Sequence, residues 1–171
     1  MFQPHILVLS GRSNVGKTQS IKLVYDKIVT YVYKRLLIDF KGEIKVTNYL
    51  SKKATSDIKI MIEIGDFKIG VESQGDPVAP SKGLGRLYES LEFFDKENCH
   101  LIITTSRTNG NTVDYIKAYQ NKYEIKWYEK KLESNEFMEL GWERAANCMY
   151  EDALELYLLF INNNKYIKKE K

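Results

Sequence analysis

Two glycines, a lysine and a threonine stand at a telling spacing near the start of the chain. Gly11-Arg12-Ser13-Asn14-Val15-Gly16-Lys17-Thr18 fits the pattern G-x-x-x-x-G-K-[ST] at every specified position. The chemistry such a stretch serves is the holding of a polyphosphate. Gly11 and Gly16 allow a tight turn and let the backbone approach an anion with no Cβ in the way. The N–H groups of residues 11–18 then converge on the anion, and a helix beginning near Lys17 adds its partial positive charge. Lys17 would reach the β- and γ-phosphates of a nucleoside triphosphate. The Thr18 hydroxyl would complete the shell of a Mg²⁺ bridging them. A turn whose glycines serve packing alone leaves Lys17-Thr18 unexplained.

Such a loop works only between a strand and a helix, and the flanks supply both. Ile6-Leu7-Val8-Leu9 reads as a short, fully buried strand. From Gln19 to about Tyr33, Ile21, Val24, Ile28 and Val32 recur at helical spacing. Leu36-Leu37-Ile38-Asp39-Phe40 is either the end of that helix or a short strand. Residues 41–57 are polar and mixed, with a possible strand near Ile44-Lys45-Val46. In P-loop proteins, whose loop Gly11–Thr18 resembles, a segment placed here often carries a substrate-binding insertion or a mobile switch, in which Thr47, Thr55 and Ser56 would be candidate metal-sensing hydroxyls. Ile58, Ile60, Ile62 and Ile64 then alternate with Lys59, Met61 and Glu63. After Gly65-Asp66 the alternation resumes at Phe67, Ile69 and Val71. Two alternating runs around a two-residue Gly-Asp link predict a hairpin with a primed turn. Its second strand is expected to enter the central sheet beside the first.

Here the residues resemble the P-loop NTPase superfamily, with Gly11–Thr18 as its Walker A loop. The likeness covers residues 6 to about 33, with weaker echoes near 58–76. It implies an α/β, three-layer fold: a mostly parallel sheet of five or six strands with one antiparallel hairpin strand, and helices on both faces. In Ras-like GTPases a hairpin likewise delivers an Asp-x-x-Gly motif whose Asp acts on Mg²⁺. Glu72-Ser73-Gln74-Gly75 looks like a glutamate version of it. The likeness therefore makes Glu72 a candidate for the metal shell or for polarising the attacking water. Gly75 would offer its N–H to the γ-phosphate. Asp76 stands where many GTPases carry a water-orienting glutamine, and Gln74 is a further candidate. Gly75-Asp76-Pro77 is also turn chemistry in its own right.

The loop continues to Arg86 as a candidate lid, in which Lys82 and Arg86 could approach phosphates. A helix from about Leu84 to Lys96 follows, with Leu84, Leu87, Tyr88, Leu91 and Phe94 as its core stripe. Leu101-Ile102-Ile103-Thr104-Thr105 reads as a central parallel strand. Arg107, just beyond its end, is the candidate cation for charge on the transferring phosphoryl group, or else a surface or substrate-anchoring arginine. A short helix from about Thr112 to Gln120 and a strand over 123–128 come next. Asn121-Lys122-Tyr123-Glu124 superficially resembles the guanine-reading Asn-Lys-x-Asp of GTPases. It precedes its strand instead of following it, and lacks the final Asp, so guanine specificity loses its support. A helix from about Glu136 to Ile161, apolar on one side, packs on the sheet or meets a partner. Residues 162–171 read as a flexible basic tail.

The bulk properties set limits. One domain over residues 1–161 suits 171 residues. A net charge of +3 does not indicate nucleic acid. Cys99 and Cys148 lack metal-ligand spacing and read as reduced thiols. No stretch suits a signal peptide or a membrane span, so the expected place is the cytoplasm. The expected activity is Mg²⁺-dependent binding and hydrolysis of ATP, or less readily GTP. Two alternatives stand beside it: a small kinase passing the γ-phosphate to a nucleotide or metabolite acceptor, and a nucleotide-gated module that recruits a protein partner.

Overall fold

A computed structural model describes residues 2–39, 44–50, 57–75, 85–130 and 138–167. Among them lie six strands and four helices: β1 (His5–Ser10), α1 (Lys17–Asp39), β2 (Ile44–Asn48), β3 (Lys59–Ile64), β4 (Phe67–Glu72), α2 (Arg86–Lys96), β5 (Leu101–Ser106), α3 (Asn111–Lys117), β6 (Glu124–Glu129) and α4 (Met138–Ile167). The architecture is α/β. The six strands form one mixed sheet in the order β2-β3-β4-β5-β1-β6. β1 runs parallel to β5 and β6, and β4 parallel to β5, while β3 is antiparallel to both β2 and β4. β3 is thus reversed relative to the other strands.

Alternation along each strand divides the core into two layers. Leu7 and Leu9 of β1, Ile60 and Ile62 of β3, and Ile69 and Val71 of β4 pack under α1 and α4. Ile6 and Val8 face the other way, against Leu87, Leu91 and Phe94 of α2 and Ile116 of α3. Residues 6–9 of β1 are all apolar because both of its faces are covered. Ile21, Val24, Ile28 and Val32 of α1 are buried, as their spacing requires, and meet Ala146, Met149 and Ala153 of α4. Between β3 and β4 the turn is two residues long, with Ile64 opposite Phe67. Gly65 has φ +56 while Asp66 stays out of the left-handed region, the pattern of a II′ turn.

Three expectations are corrected or resolved. Residues 36–39 continue α1 and are not a strand. β4 has β5 as its second neighbour, so a whole strand separates it from β1. α4 runs on to Ile167, helical through residues read as a tail from 162. Cys99 and Cys148 are both free thiols. No helix among the described residues is long and apolar enough to cross a membrane.

This order determines where a ligand would meet the sheet. β1, β4, β5 and β6 all end on one edge. From β1 the chain leaves through α1 toward β5 and β4, and β5 later crosses through α3 over β1 to β6. The carboxyl end of β1 is therefore a topological switch point, where open α/β sheets form their ligand crevice.

Candidate functional site

The Gly11–Thr18 loop occupies that switch point. Gly11 N–H donates to Ser106 O of β5 at 3.2 Å, and Lys130 N–H, beyond β6, donates to Ser10 O at 2.7 Å. The loop root is thereby clamped from both neighbouring strands. Asn14 (φ +57) and Gly16 (φ +82) bend the backbone back toward α1. For both glycines of the motif, protein neighbours already fill the space of a side chain. A Cβ on Gly11 would lie 2.6 Å from Lys130 O, and one on Gly16 only 1.8 Å from Trp142 Nε1.

Beside the loop opens a cleft of about 360 Å³, lined by Asn14, Gly16, Lys17, Thr18, Gln19, Asp57, Ser73, Gln74, Gly75 and Trp142. Lys17 is 7% exposed, and its Nζ donates to Gly11 O at 2.9 Å and Arg12 O at 2.6 Å. The ammonium is folded over the loop's own carbonyls. Arg12 and Ser13 are exposed and Val15 is buried. Thr18 Oγ1 donates to Asp57 Oδ1 at 3.0 Å and stands 3.5 Å from Ser73 O. Ser73 Oγ also donates to Asp57 Oδ1, at 3.1 Å, and accepts from Ile58 N–H at 2.8 Å. α1 packs across β5 and β4, which is how Thr18, in its first turn, reaches the end of a strand two places from β1.

Asp57 was missed in the sequence. Its neighbours Thr55 and Ser56 were singled out for metal sensing and lie outside the described residues, but the carboxylate next to them is the one that meets Thr18. The only signal was its place, directly before the alternating run of β3.

Glu72 sits elsewhere. Its side chain is 1% exposed and on the α2 face of the sheet, where Arg86 grips it: Nη2 at 2.6 Å from Oε1, and Nε at 3.1 Å from each oxygen. Ser90 Oγ donates to Oε2 at 2.7 Å and Gln74 N–H to Oε1 at 2.7 Å. Burial holds this carboxyl above its ordinary pKa, opposed by Arg86, Gln74 N–H and Ser90. Its alternation partner Gly70 lies under the Phe94 ring of α2. In this structure the Glu72 carboxylate is held by Arg86 and Ser90 of α2 and by Gln74 N–H, as an ion pair, and Glu72 is not among the residues that line the cleft. Arg86, expected in a lid, is the other half of that pair; its Nη2 is 3.7 Å from Asp57 Oδ2.

Of the remaining candidates, Gln74 and Gly75 line the cleft. Arg107 follows β5, half-buried, with its backbone N–H donating to Thr112 Oγ1 at 3.2 Å, and is not among the residues that line the cleft. Asp76 and Lys82 lie outside the described residues. Asn121–Tyr123 precede β6 and Glu124 opens it, so this stretch sits at the opposite edge of the sheet, with Lys122 paired to Asp95 at 2.6 Å. Among the described residues no group of three or more His, Cys, Asp or Glu side chains is arranged to hold a metal ion. A cation at Thr18 and Asp57 would thus depend on ligand oxygens for most of its shell, the usual habit of Mg²⁺. Comparison with family models, curated proteins and solved structures finds no match in any of the three.

Proposed function

We propose that this chain is a small P-loop NTPase that binds a Mg²⁺-nucleoside triphosphate, ATP in preference to GTP, and hydrolyses its γ-phosphate. The observation that carries the reading is the meeting of Lys17, Thr18 and Asp57 in one cleft, where a glycine-rich loop joins a central parallel strand to a 23-residue helix. Amides and helix N-terminus there favour an anion. When a polyphosphate arrives, Lys17 exchanges two neutral carbonyls for charged oxygens, and charge-assisted hydrogen bonds are the stronger kind. Bound Mg²⁺ would supply positive charge against the phosphate oxygens. Thr18 and Asp57 are the residues that would hold it: the Thr18 hydroxyl, donating to Asp57, keeps its lone pairs for a cation.

Water then attacks the γ-phosphorus, the bond to the β–γ bridging oxygen breaks, and ADP and phosphate leave. Gln74, a further candidate beside Glu72 and Asp76, would act on that water, since its residue borders the cleft. Positioning and electrostatics carry most of such a reaction. ATP is preferred because Asn121–Glu124, the one stretch similar to a guanine reader, sits at the far edge of the sheet.

The test is phosphate release from Mg²⁺-ATP by wild type and Lys17→Ala. The variant is expected to lose at least 100-fold in rate, on the order of a lost transition-state donor; equal rates would remove the proposal.

A further inference from the structure

Trp142 stands in the first turns of α4, and its indole turns its Nε1 edge toward Gly16 of the loop. The site of a Cβ on Gly16 is 1.8 Å from Nε1, 2.6 Å from Cδ1 and 2.9 Å from Cε2. The same residue lines the cleft with Lys17, Thr18 and Asp57. Nε1 is buried and has no hydrogen-bond acceptor among the described residues. An indole nitrogen is a donor only, and a buried donor left without an acceptor costs stability. Further along α4, Ala146, Met149, Ala153 and Leu156 are buried in the core, and Tyr150 and Tyr157 pack against it. A phenylalanine at 142 would fill similar space with no donor to satisfy. The donor therefore sits, unsatisfied, at the wall of the one cleft whose loop is built to collect acceptor oxygens.

We infer that Trp142 is a phosphate-contacting residue: its indole N–H donates to an oxygen of the polyphosphate seated on Gly11–Thr18. The inference rests on the nucleotide reading above. Because Nε1 is packed on Gly16, the contact requires the ring to turn from the glycine as the phosphates enter. Ligand binding at the loop is thereby felt at the start of α4. That helix packs along α1 and carries exposed Leu158 and Leu159 near its far end.

The chain has two tryptophans, and the other, Trp127 on β6, is 38% exposed and does not line the cleft. Trp127→Phe makes Trp142 the sole indole emitter. That variant is titrated with Mg²⁺-ATP and, separately, with Mg²⁺-pyrophosphate, while equilibrium dialysis with labelled ATP measures binding independently. The expected result is a saturating change in Trp142 emission with both ligands, its ATP midpoint agreeing with dialysis. Trp142→Phe, checked for folding by circular dichroism, is expected to bind ATP about tenfold more weakly, the loss of one hydrogen bond to a charged group. Binding by dialysis with unchanged emission, or with undiminished affinity in Trp142→Phe, overturns the inference and leaves the nucleotide reading standing. No binding by dialysis removes both.

Discussion

Arg86→Ala separates a structural from a catalytic Glu72. In the folded chain the Glu72 carboxylate, 1% exposed, accepts from Arg86 through Nε and Nη2, from Ser90 Oγ and from Gln74 N–H. Truncating Arg86 removes the cation that grips it and leaves the neutral donors of Ser90 and Gln74 on a dry carboxylate. Breaking a buried pair from one side costs about 3–5 kcal/mol. The lower end applies here, because Ser90 and Gln74 remain and burial already favours the protonated carboxyl. About 3 kcal/mol, at roughly 2–4 °C per kcal/mol for a chain of this length, is a drop of about 6–12 °C in Tm. Glu72→Gln keeps the shape and one of the two acceptor oxygens, and Arg86 retains Asp57 at 3.7 Å, so its cost is smaller, about 1–2 kcal/mol. Urea unfolding followed by circular dichroism gives the stabilities, and phosphate release gives the activity. Two results would refute the reasoning. One is an Arg86→Ala variant within about 0.5 kcal/mol of wild type, the behaviour of an exposed pair. The other is a Glu72→Gln variant of unaltered stability that binds ATP yet no longer hydrolyses it, which would return Glu72 to the catalytic role.

Asp57→Asn is expected to raise about tenfold the Mg²⁺ concentration needed for half-maximal phosphate release, while ATP binding without metal changes less than about twofold, because one carboxylate is lost from the cation's surroundings; a metal titration of both proteins decides it. The pH dependence of stability carries a signature of Glu72. Its folded pKa is raised, chiefly by burial, so from about pH 4 up to that raised value the folded state binds more protons than the unfolded one. The stabilising contribution is thus full at lower pH and lost as pH rises through the folded pKa. Urea unfolding across pH 4–7 is expected to show wild type losing stability relative to Glu72→Gln as pH rises; a difference that stays flat or runs the other way would contradict the raised pKa.

Much of the fold was legible because its signals are local. Strand β1, the hairpin and helix α1 each announce themselves within a dozen or so residues, through an unbroken apolar run, period-two alternation around Gly65-Asp66, and helical spacing from Ile21 to Val32. The loop between β1 and α1 was legible for the same reason. What could not be read is non-local. That β5 lies between β4 and β1 depends on which way the chain crosses after α2, and neither strand's own composition records it. Trp142 looked like one more member of an apolar helix face, since nothing near residue 142 says that Gly16 will be its neighbour. Asp57 lay at the edge of a polar stretch without periodicity, and only the packing of α1 over β4 brings Thr18 to it.

The placement of Glu72 has a simpler cause, and the same alternation that revealed β4 contains it. Phe67, Ile69 and Val71 fill the layer under α1, so Lys68, Gly70 and Glu72 belong to the opposite face. α1 carries Thr18 in its first turn, and whatever meets that hydroxyl from β4 must come from α1's own side of the sheet or from beyond the strand's end. Glu72 is still inside the ladder, opposite Lys59, and is turned to α2. Ser73 and Asp57 lie just past the last rung, where strict alternation no longer applies, and both reach Thr18. An acidic residue at the end of a strand is therefore a weak sign of a metal ligand until its face is known. Here the face assigns Glu72 to holding α2 against the sheet through Arg86 and Ser90. It leaves the walls of the cleft to groups outside the strands, among them the glycine-rich turn, the first residues of α1, and the two polar side chains that close the open end of the β3–β4 hairpin.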